Sequence, residues 1–531
     1  MKVILYVVIS FLYIIGGFAQ TPSIVWQKCL GGTNVDGIGE SNTLCHTRDG
    51  GCIVCGYTLS NDGDVHGNHG GFSDCWVVKL TSTGAIEWAK VFGGSGSESA
   101  NSIIQTKDGS YVFASGTSSN DGDVSGNHGS GDFWVVKLDS MGGIIWENCY
   151  GGSSGDGATC IKECKEGGYI ICGETYNNND GEVMGGHSNT PPDIRDFWVI
   201  KIDSLGYLQW QKCLGGTSNE QAYSLDVTSD SGIIVVGNTQ SNDFDVSGLH
   251  NNSQDIWAVK LDNGGNIQWQ KCLGGSLTEV ANTVIQTSEG GYAVTGWTGS
   301  RDGDITDTFG LSEAWVVKLS HTGAIEWQHC YGGSDYDVGK SILQTNDGGY
   351  VLGIQTMSND FQVTNNHGWY DYWVVKIDSV GIIEWEKTMG GSDDDIISAL
   401  DFSGDSGLFV EGISGSNDGD VSNNHGGGDL WVVKLSPLQN SIKVSESFGI
   451  DLDAYYNLNI QSVILRVYAQ RRELVTFQLI DVEGRLLMSQ QIIVGVGFNN
   501  QLVPTPNLNI GIYCVRLIED EGIMTKKLIV Q

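Results

Sequence analysis

The chain has 531 residues, with 63 acidic against 28 basic side chains and a formal net charge of −35. Such a surface repels nucleic acid and anionic lipid, and it attracts cations. Glycine is abundant (76) and proline scarce (6); without a G-X-Y period this excludes collagen and fits many tight turns.

Residues 1–19 read as a secretory signal: Lys2 gives a positive start, Val3 to Ile15 an almost unbroken apolar run, and Gly17-Phe18-Ala19 a small-x-small cleavage site. Cleavage after Ala19 leaves Gln20 first, and no Cys follows to carry a lipid. No later stretch approaches the roughly 20 apolar residues of a membrane span, so the mature chain is expected to have none.

From residue 20 to 436 the chain repeats itself. One Trp series runs Trp76, Trp134, Trp198, Trp257, Trp315, Trp373 and Trp431; a second runs Trp26, Trp88, Trp146, Trp210, Trp269, Trp327 and Trp385. The second series is spaced by 62, 58, 64, 59, 58 and 58 residues. Self-similarity at a steady period marks a repeat architecture.

Residues 84–139 stand for one repeat. GAIEWAKVFGG places Ile86, Trp88, Lys90 and Phe92 on one face at period two, a strand stopped by Gly93-Gly94. SANSIIQT is a second strand, and KDGS a turn whose Asp-Gly suits a tight hairpin. YVFASGT is a third strand, SSNDGDVSGNHGSG a loop, and DFWVVKLD a fourth strand. Four short strands per period predict an all-β propeller of four-stranded blades, each burying its apolar faces against its neighbours. Both Trp series are expected in that inter-blade core.

The register predicts how a ring would close. The chain begins with a Gly-Gly-ending strand (Ile24 to Leu30) and its last copy stops at WVVKL (Trp431 to Leu435). Pairing the two completes a seventh blade, one strand from the N-terminus and three from about 394–435, and removes the open edges.

DFWVVKLDSMGGIIWENCYGGS, with SIIQTKDGSYVFASGT, resembles the β-propeller repeat of bacterial surface proteins. Its units combine a D-x-F/W-V-x-K-L-D stretch, a G-x-x-x-W turn and strand, and Gly-Gly-Ser. The resemblance covers residues 24–435 in all seven copies. It implies a secreted propeller and no single activity. Kelch propellers share Gly-Gly and aromatics but at shorter spacing.

The 13 cysteines are an odd number, and five occupy one position, three after the second-series Trp: Cys29, Cys149, Cys213, Cys272 and Cys330. They read as semi-buried thiols acting as small hydrophobes. Cys45, Cys52 and Cys55, or Cys160, Cys164 and Cys172, could form local disulfides in an exported protein. Their irregular spacing, with no regular His, argues against zinc.

The long loop repeats as NDGDVSGNHG. Its acidic pairs are Asp62/Asp64, Asp121/Asp123, Asp180/Glu182, Asp243/Asp245, Asp302/Asp304 and Asp418/Asp420; in the sixth copy Asp360 is followed by Phe361-Gln362. Carboxylates at i and i+2 in a Gly-Asn loop are candidate calcium ligands, although the match to a D-x-[DN]-x-[DN]-G loop is incomplete. The plainer reading is turn chemistry, Asp and Asn bonding nearby backbone N–H groups. His69, His128, His187, His250, His367 and His425 recur behind the pairs, with Phe309 in the fifth copy. Phe cannot ligate or shuttle a proton, so these His read as loop-packing residues.

An acid stands two before each first-series Trp (Asp74, Asp132, Asp196, Asp255, Glu313, Asp371, Asp429), and a Lys three after (Lys79, Lys137, Lys201, Lys260, Lys318, Lys376, Lys434). Seven of seven points to structural bonding. A ligand site should instead break the sameness. Arg195, after the insert Asn189 to Asp193, Arg301, Trp297 and the pair Trp369-Tyr370 do so, and are the candidate ligand-binding residues. No residue is singled out as catalytic: there is no nucleophile motif, phosphate loop or cofactor fingerprint, and T-x-D-G-G-Y is not the S-x-D-x-G-x-T-W box of sialidases.

After a short linker at 437–440, residues 441–531 read as alternating strands of a small β-sandwich, with turns at Glu483-Gly484 and Glu521-Gly522. FQLIDVEGRLL, Gly511-Ile512-Tyr513 and Lys526-Lys527-Leu528-Ile529-Val530-Gln531 resemble the type-A C-terminal sorting domain of the type IX secretion system. The usual Pro-Asn-Pro opening is absent; Leu452 to Leu458 stands in its place. The resemblance implies passage through the outer-membrane secretion machinery to the cell surface or the medium. The expected role is a non-catalytic binding or adhesion module for glycan or protein. A polysaccharide hydrolase or lyase, or a calcium-stabilised surface array, are the alternatives.

Overall fold

The WVVKL runs are buried along their whole length at Asp74–Leu80, Asp132–Leu138, Asp255–Leu261, Glu313–Leu319, Asp371–Ile377 and Asp429–Leu435. The reason is position: each lies inside its sheet and between two other sheets. A strand covered on both faces needs continuous apolar residues rather than alternation. The strand that follows each run, such as Ile86–Phe92, is a sheet edge and mixes exposed with buried residues; Lys90 is exposed although the period-two reading puts it on the face of Trp88 and Phe92, which are buried.

The computed structural model describes residues 21–39, 42–176, 179–187, 194–251 and 253–438. In the C-terminal part it describes 450–457, 462–469, 473–481, 485–494, 497–505, 508, 511–519 and 522–530. The expected leader, the insert Asn189 to Asp193, part of the linker and the Glu483-Gly484 turn lie outside these residues. Every regular element among them is a β-strand. The chain divides into two compact units, Met1–Asn440 and Ser441–Gln531.

In the first unit the strands of the sample repeat are Ile86–Phe92, Glu98–Gln105, Tyr111–Thr117 and Asp132–Leu138, matching the sequence reading. The sheets are antiparallel and four-stranded, as in a propeller; one gains an extra short strand because Asp36–Ile38 and Leu44–His46 both pair with Cys52–Thr58. Ile24–Leu30 pairs antiparallel with Asp429–Leu435, from Ile24 opposite Leu435 to Leu30 opposite Leu430. Each apolar core is shared by two consecutive sheets; Leu30, Phe409 and Leu430 also pack with Val54, Trp76 and Val78. The innermost strands, such as Asp156–Glu163, Glu220–Val227 and Glu279–Gln286, pack against one another in sequence.

The two Trp series separate. The first is fully buried in all seven sheets. The second is shallower than expected: only Trp88 and Trp385 are buried, and the others are half-buried. These rings cover the outer turn of the following sheet, where Trp26, Trp88, Trp210 and Trp269 donate their indole N–H to the carbonyls of Ser82, Ser140, Asn263 and His321. Gly142, at φ 76°, shows why that turn needs glycine: a Cβ there would meet Trp88 at 3.0 Å. No disulfide forms; all thirteen cysteines are free thiols, Cys45 and Cys514 half-buried and the rest buried.

In the second unit, Ile450–Asn457, Ser462–Ala469 and Gly497–Pro504 form one sheet. Glu473–Asp481, Leu486–Val494, Gly511–Glu519 and Gly522–Val530 form another. Val463, Leu465 and Val503 from the first share a core with Phe477, Leu479, Val515 and Leu517 from the second, the arrangement of a small sandwich.

Candidate functional site

The NDGD loops fold around backbone groups. The first acid of each pair accepts the N–H of the Ser or Thr that follows Gly-Gly: Asp62 from Thr33, Asp121 from Ser95, Asp180 from Ser153, Asp243 from Thr217, Asp302 from Ser276 and Asp418 from Ser392, at 2.7 to 2.9 Å. The sixth copy keeps this bond, Asp360 to Ser334. The second acid donates its own N–H to the carbonyl of the first glycine: Asp64 to Gly31, Asp123 to Gly93, Asp245 to Gly215, Asp304 to Gly274 and Asp420 to Gly390. In five copies the residue between the acids is a glycine lying on that same carbonyl; at Gly122, φ 68°, a Cβ would meet Gly93 O at 2.3 Å, although Phe244 takes the same place in the fourth copy at φ 51°. At Asp123, Glu182, Asp245 and Asp304 the second carboxylate accepts the N–H of the first glycine of Gly-Gly at 3.1 to 3.4 Å, a different donor from the first. Among the described residues no group of three or more His, Cys, Asp and Glu is arranged to hold a metal ion.

The acid two before each first-series Trp is buried. It accepts the backbone N–H of the loop His, at 2.6 to 3.1 Å for His69, His128, His187, His250, His367 and His425. Phe309 makes the same backbone bond to Glu313, and in His128, His187, His250, His367 and His425 the ring Nδ1 adds a contact to the same carboxylate at 2.6 to 2.9 Å. The other oxygen of this acid has no hydrogen-bond partner at any of the seven positions, from Asp74 to Asp429. It faces, across the first Gly of Gly-Gly, the carboxylate that begins the next sheet: Asp132 and Asp156 both meet a Cβ placed on Gly151, and Asp429 and Asp36 one placed on Gly31. Burial pushes Asp156 and Glu220 up to about 7, and Asp255, Asp337 and Asp395 up to about 6.

The strand lysines close a second set of bonds. Lys79, Lys137, Lys201, Lys260, Lys318, Lys376 and Lys434 reach the hairpin acids Asp49, Asp108, Glu166, Asp230, Glu289, Asp347 and Asp405 at 2.6 to 3.3 Å. This explains the T-x-D-G-G turn. The Lys434 ammonium, with Ser403, holds Asp405 down to about 2.

The copies differ most usefully where the third sheet (Asp156–Glu163, Tyr169–Tyr176, Arg195–Ile202 and Leu208–Leu214) meets the fourth, which begins at Glu220–Val227. Arg195, Asn219, Gln221, Asn238, Gln240 and Gln254 line a recess of about 200 Å³. Arg195 is placed by Glu174 at 2.8 Å and by the Tyr176 ring at 4.7 Å, and its N–H donates to Asn219 Oδ1 at 3.2 Å. Tyr223 donates to Gln221 Oε1 at 2.8 Å. Of the five residues singled out by the sequence, Arg195 alone lines this recess. Arg301 is exposed and donates to Gly310 O at 2.9 Å. Trp297 is half-buried beside Val280, Trp369 is 64% exposed, and Tyr370 is half-buried with its carbonyl bonded to Asp395 N–H. Sequence reasoning missed the five amides. The signal was present: the counterparts of Gln254 in other copies are Ser73, Gly131, Arg195, Ser312, Tyr370 and Gly428, and only the fourth copy has amides at all five positions.

No curated protein matches the chain. Among solved structures it is similar to the Pan2 WD40 domain of Neurospora crassa (10% identity, 64% of this chain and 90% of that one, TM-score 0.31). It is also similar to Sqt1 from Chaetomium thermophilum (10%, 83% and 97%, 0.36). A puromycin hydrolase mutant is similar at 9% identity, over 81% of this chain and 58% of that one, with a TM-score of 0.42. Among the described residues no helix is long and apolar enough to cross a membrane. Residues 456–531 match the family model described as a secretion system C-terminal sorting domain. After an all-β, propeller-like first unit in the sequence, the chain therefore carries a type IX sorting domain, and its destination is the cell surface or the medium.

Proposed function

We propose that residues 20–436 form a seven-bladed ring closed by the strand Ile24–Leu30, and that this ring is a non-catalytic binding module for glycan or protein. On this reading residues 1–19 are removed as a leader, 437–440 are a linker, and 441–531 engage the outer-membrane secretion machinery.

One observation carries the binding reading. The repeated acids are taken up by backbone N–H groups and the repeated histidine rings by those same buried acids, whereas the recess at Arg195 offers neutral amides and an arginine already paired with Glu174. General acid–base catalysis needs a titratable group within reach of substrate, and the recess lining supplies none. The test is a glycan and protein array on the secreted chain, followed by product analysis of every ligand retained. Retention without turnover is the expected result; cleavage would favour the hydrolase or lyase alternative. Deleting residues 441–531 should hold the chain in the periplasm, and undiminished export would dismiss that part.

A further inference from the structure

We infer that the recess between the third and fourth sheets takes a neutral, hydroxyl-rich ligand, one sugar unit of a glycan. This rests on the reading of the body as a binding module. The recess is lined by five primary amides and one guanidinium. A primary amide donates and accepts in one plane, and a sugar hydroxyl does both as well. Five amides around one hollow match a ring of vicinal hydroxyls.

Asn238 adds an independent sign. It sits in the strand Ile233–Thr239, is only 5% exposed, and its side chain makes no hydrogen bond among the described residues. Its amide atoms are not sealed from solvent, so they stay open to a ligand in the recess that this residue lines. The other copies place Tyr57, Gly116, Glu174, Trp297, Gln355 and Ile413 there, so the strand itself does not require Asn.

Competing ligand classes fit less well. A carboxylate or phosphate would need an uncommitted cation, but the Arg195 guanidinium is paired with Glu174 at 2.8 Å, and the chain's net charge of −35 repels anions. A peptide normally docks an apolar or aromatic anchor, and the lining offers no apolar wall. The size also matches: about 200 Å³ is below the roughly 300 Å³ at which pockets for drug-sized ligands begin, and suits one ring. Further units of a glycan would run over the exposed Asn219 and Gln240.

Calorimetric titration of the full-length chain tests this with three probes: neutral hexose and N-acetylhexosamine oligosaccharides, uronate oligosaccharides, and a random peptide pool. The double variant Gln240→Ala/Gln254→Ala lies outside the apolar core and should melt like the parent. Neutral saccharides should bind the parent and lose roughly tenfold or more in affinity in the variant, as expected for one or two lost hydrogen bonds. Saccharide binding that the variant leaves unchanged overturns the site. Variant-sensitive binding of uronates or peptides alone overturns the ligand class and leaves the binding module standing. Failure of all three probes overturns both, and turnover of a bound saccharide overturns the non-catalytic reading alone.

Discussion

The Trp431 indole donates its N–H to Gln27 Oε1 at 2.8 Å, across 404 positions of the chain. The same bond joins Trp257 to Gln270, at 2.8 Å and only 13 positions apart. The N-terminal strand thus does for the last WVVKL run what a neighbouring strand does for the others. Gln27→Ala should cost about as much as Gln270→Ala, roughly 1–2 kcal/mol each, because either leaves a buried indole N–H without an acceptor. Chemical denaturation of the two variants measures it. A loss at Gln270 with none at Gln27 would refute ring closure through the N-terminal strand.

One sheet lacks this bond. Trp76 is fully buried and its indole N–H has no partner, because Ala89 stands where the other copies have Gln27, Glu147, Gln211, Gln270, Gln328 and Glu386. Ala89 is half-buried on an edge strand, with room for a longer side chain toward solvent. Ala89→Gln should stabilise the chain by about 1 kcal/mol, raising the denaturation midpoint. An unchanged or lowered midpoint would mean that a Gln side chain cannot reach Trp76.

The strand pattern, the loop chemistry and the Lys recurrence were legible because each depends on neighbours in sequence and repeats. Ile86–Phe92 mixes polar with apolar residues and Asp132–Leu138 is apolar almost throughout, and the two compositions mark edge and interior strands. What Lys137 bonds was not legible, since Asp108 lies two strands away and only the register brings them to 2.8 Å. The recess was hidden for the same reason. Asn219, Gln221, Asn238, Gln240 and Gln254 lie on or beside three strands, and each is unexceptional alone. Burial of the second Trp series was overestimated because sequence does not say which strand is the outer edge.

The loop histidines hold the buried acid through both main chain and ring, the His250 Nδ1 lying 2.6 Å from Asp255 Oδ2. His250 N–H donates to Asp255 Oδ2 at 3.0 Å, and Phe309 N–H donates to Glu313 at 2.6 Å without any imidazole. His250→Phe keeps the backbone bond and loses the Nδ1 contact, so it should leave the fold intact and cost roughly 1–2 kcal/mol. Asp255→Ala should cost more, since it strips both that N–H and the His250 ring of their partner. Equal losses in the two variants would show that the ring is the essential group.

Calcium gives a separate test of the NDGD pairs. Asp243 already accepts from Thr217 N–H and Oγ1, at 2.9 and 2.7 Å, while Asp245 reaches Gly215 N–H at 3.4 Å. Carboxylates serving as turn acceptors should respond weakly to the ion. Thermal melting in millimolar calcium and in chelator should give the same midpoint within about 1 °C, since a ligand raises it only when it binds the native state. A clear rise with calcium, lost in Asp243→Asn, would assign the pair to the ion.

Two sets of carboxyls pull the pH profile in opposite directions. Burial lifts Asp156 and Glu220 to about 7 and Asp255, Asp337 and Asp395 to about 6. Each is thus raised above its unfolded value of about 4. The native chain holds those protons more tightly. Their contribution is whole below about pH 4 and is lost as pH rises through 6 to 7. Asp405, held to about 2 by Lys434 and Ser403, is lowered instead; its contribution is present above about pH 4 and is lost as pH falls through 2. The melting temperature should therefore peak near pH 4 to 5, fall steadily toward about pH 8, and fall again below about pH 3. Calorimetric scans across that range decide it. A midpoint that rises between about pH 5 and 8 would mean that the facing carboxylates stay ionised with a compensating charge between them, and the joints would then need a bound cation.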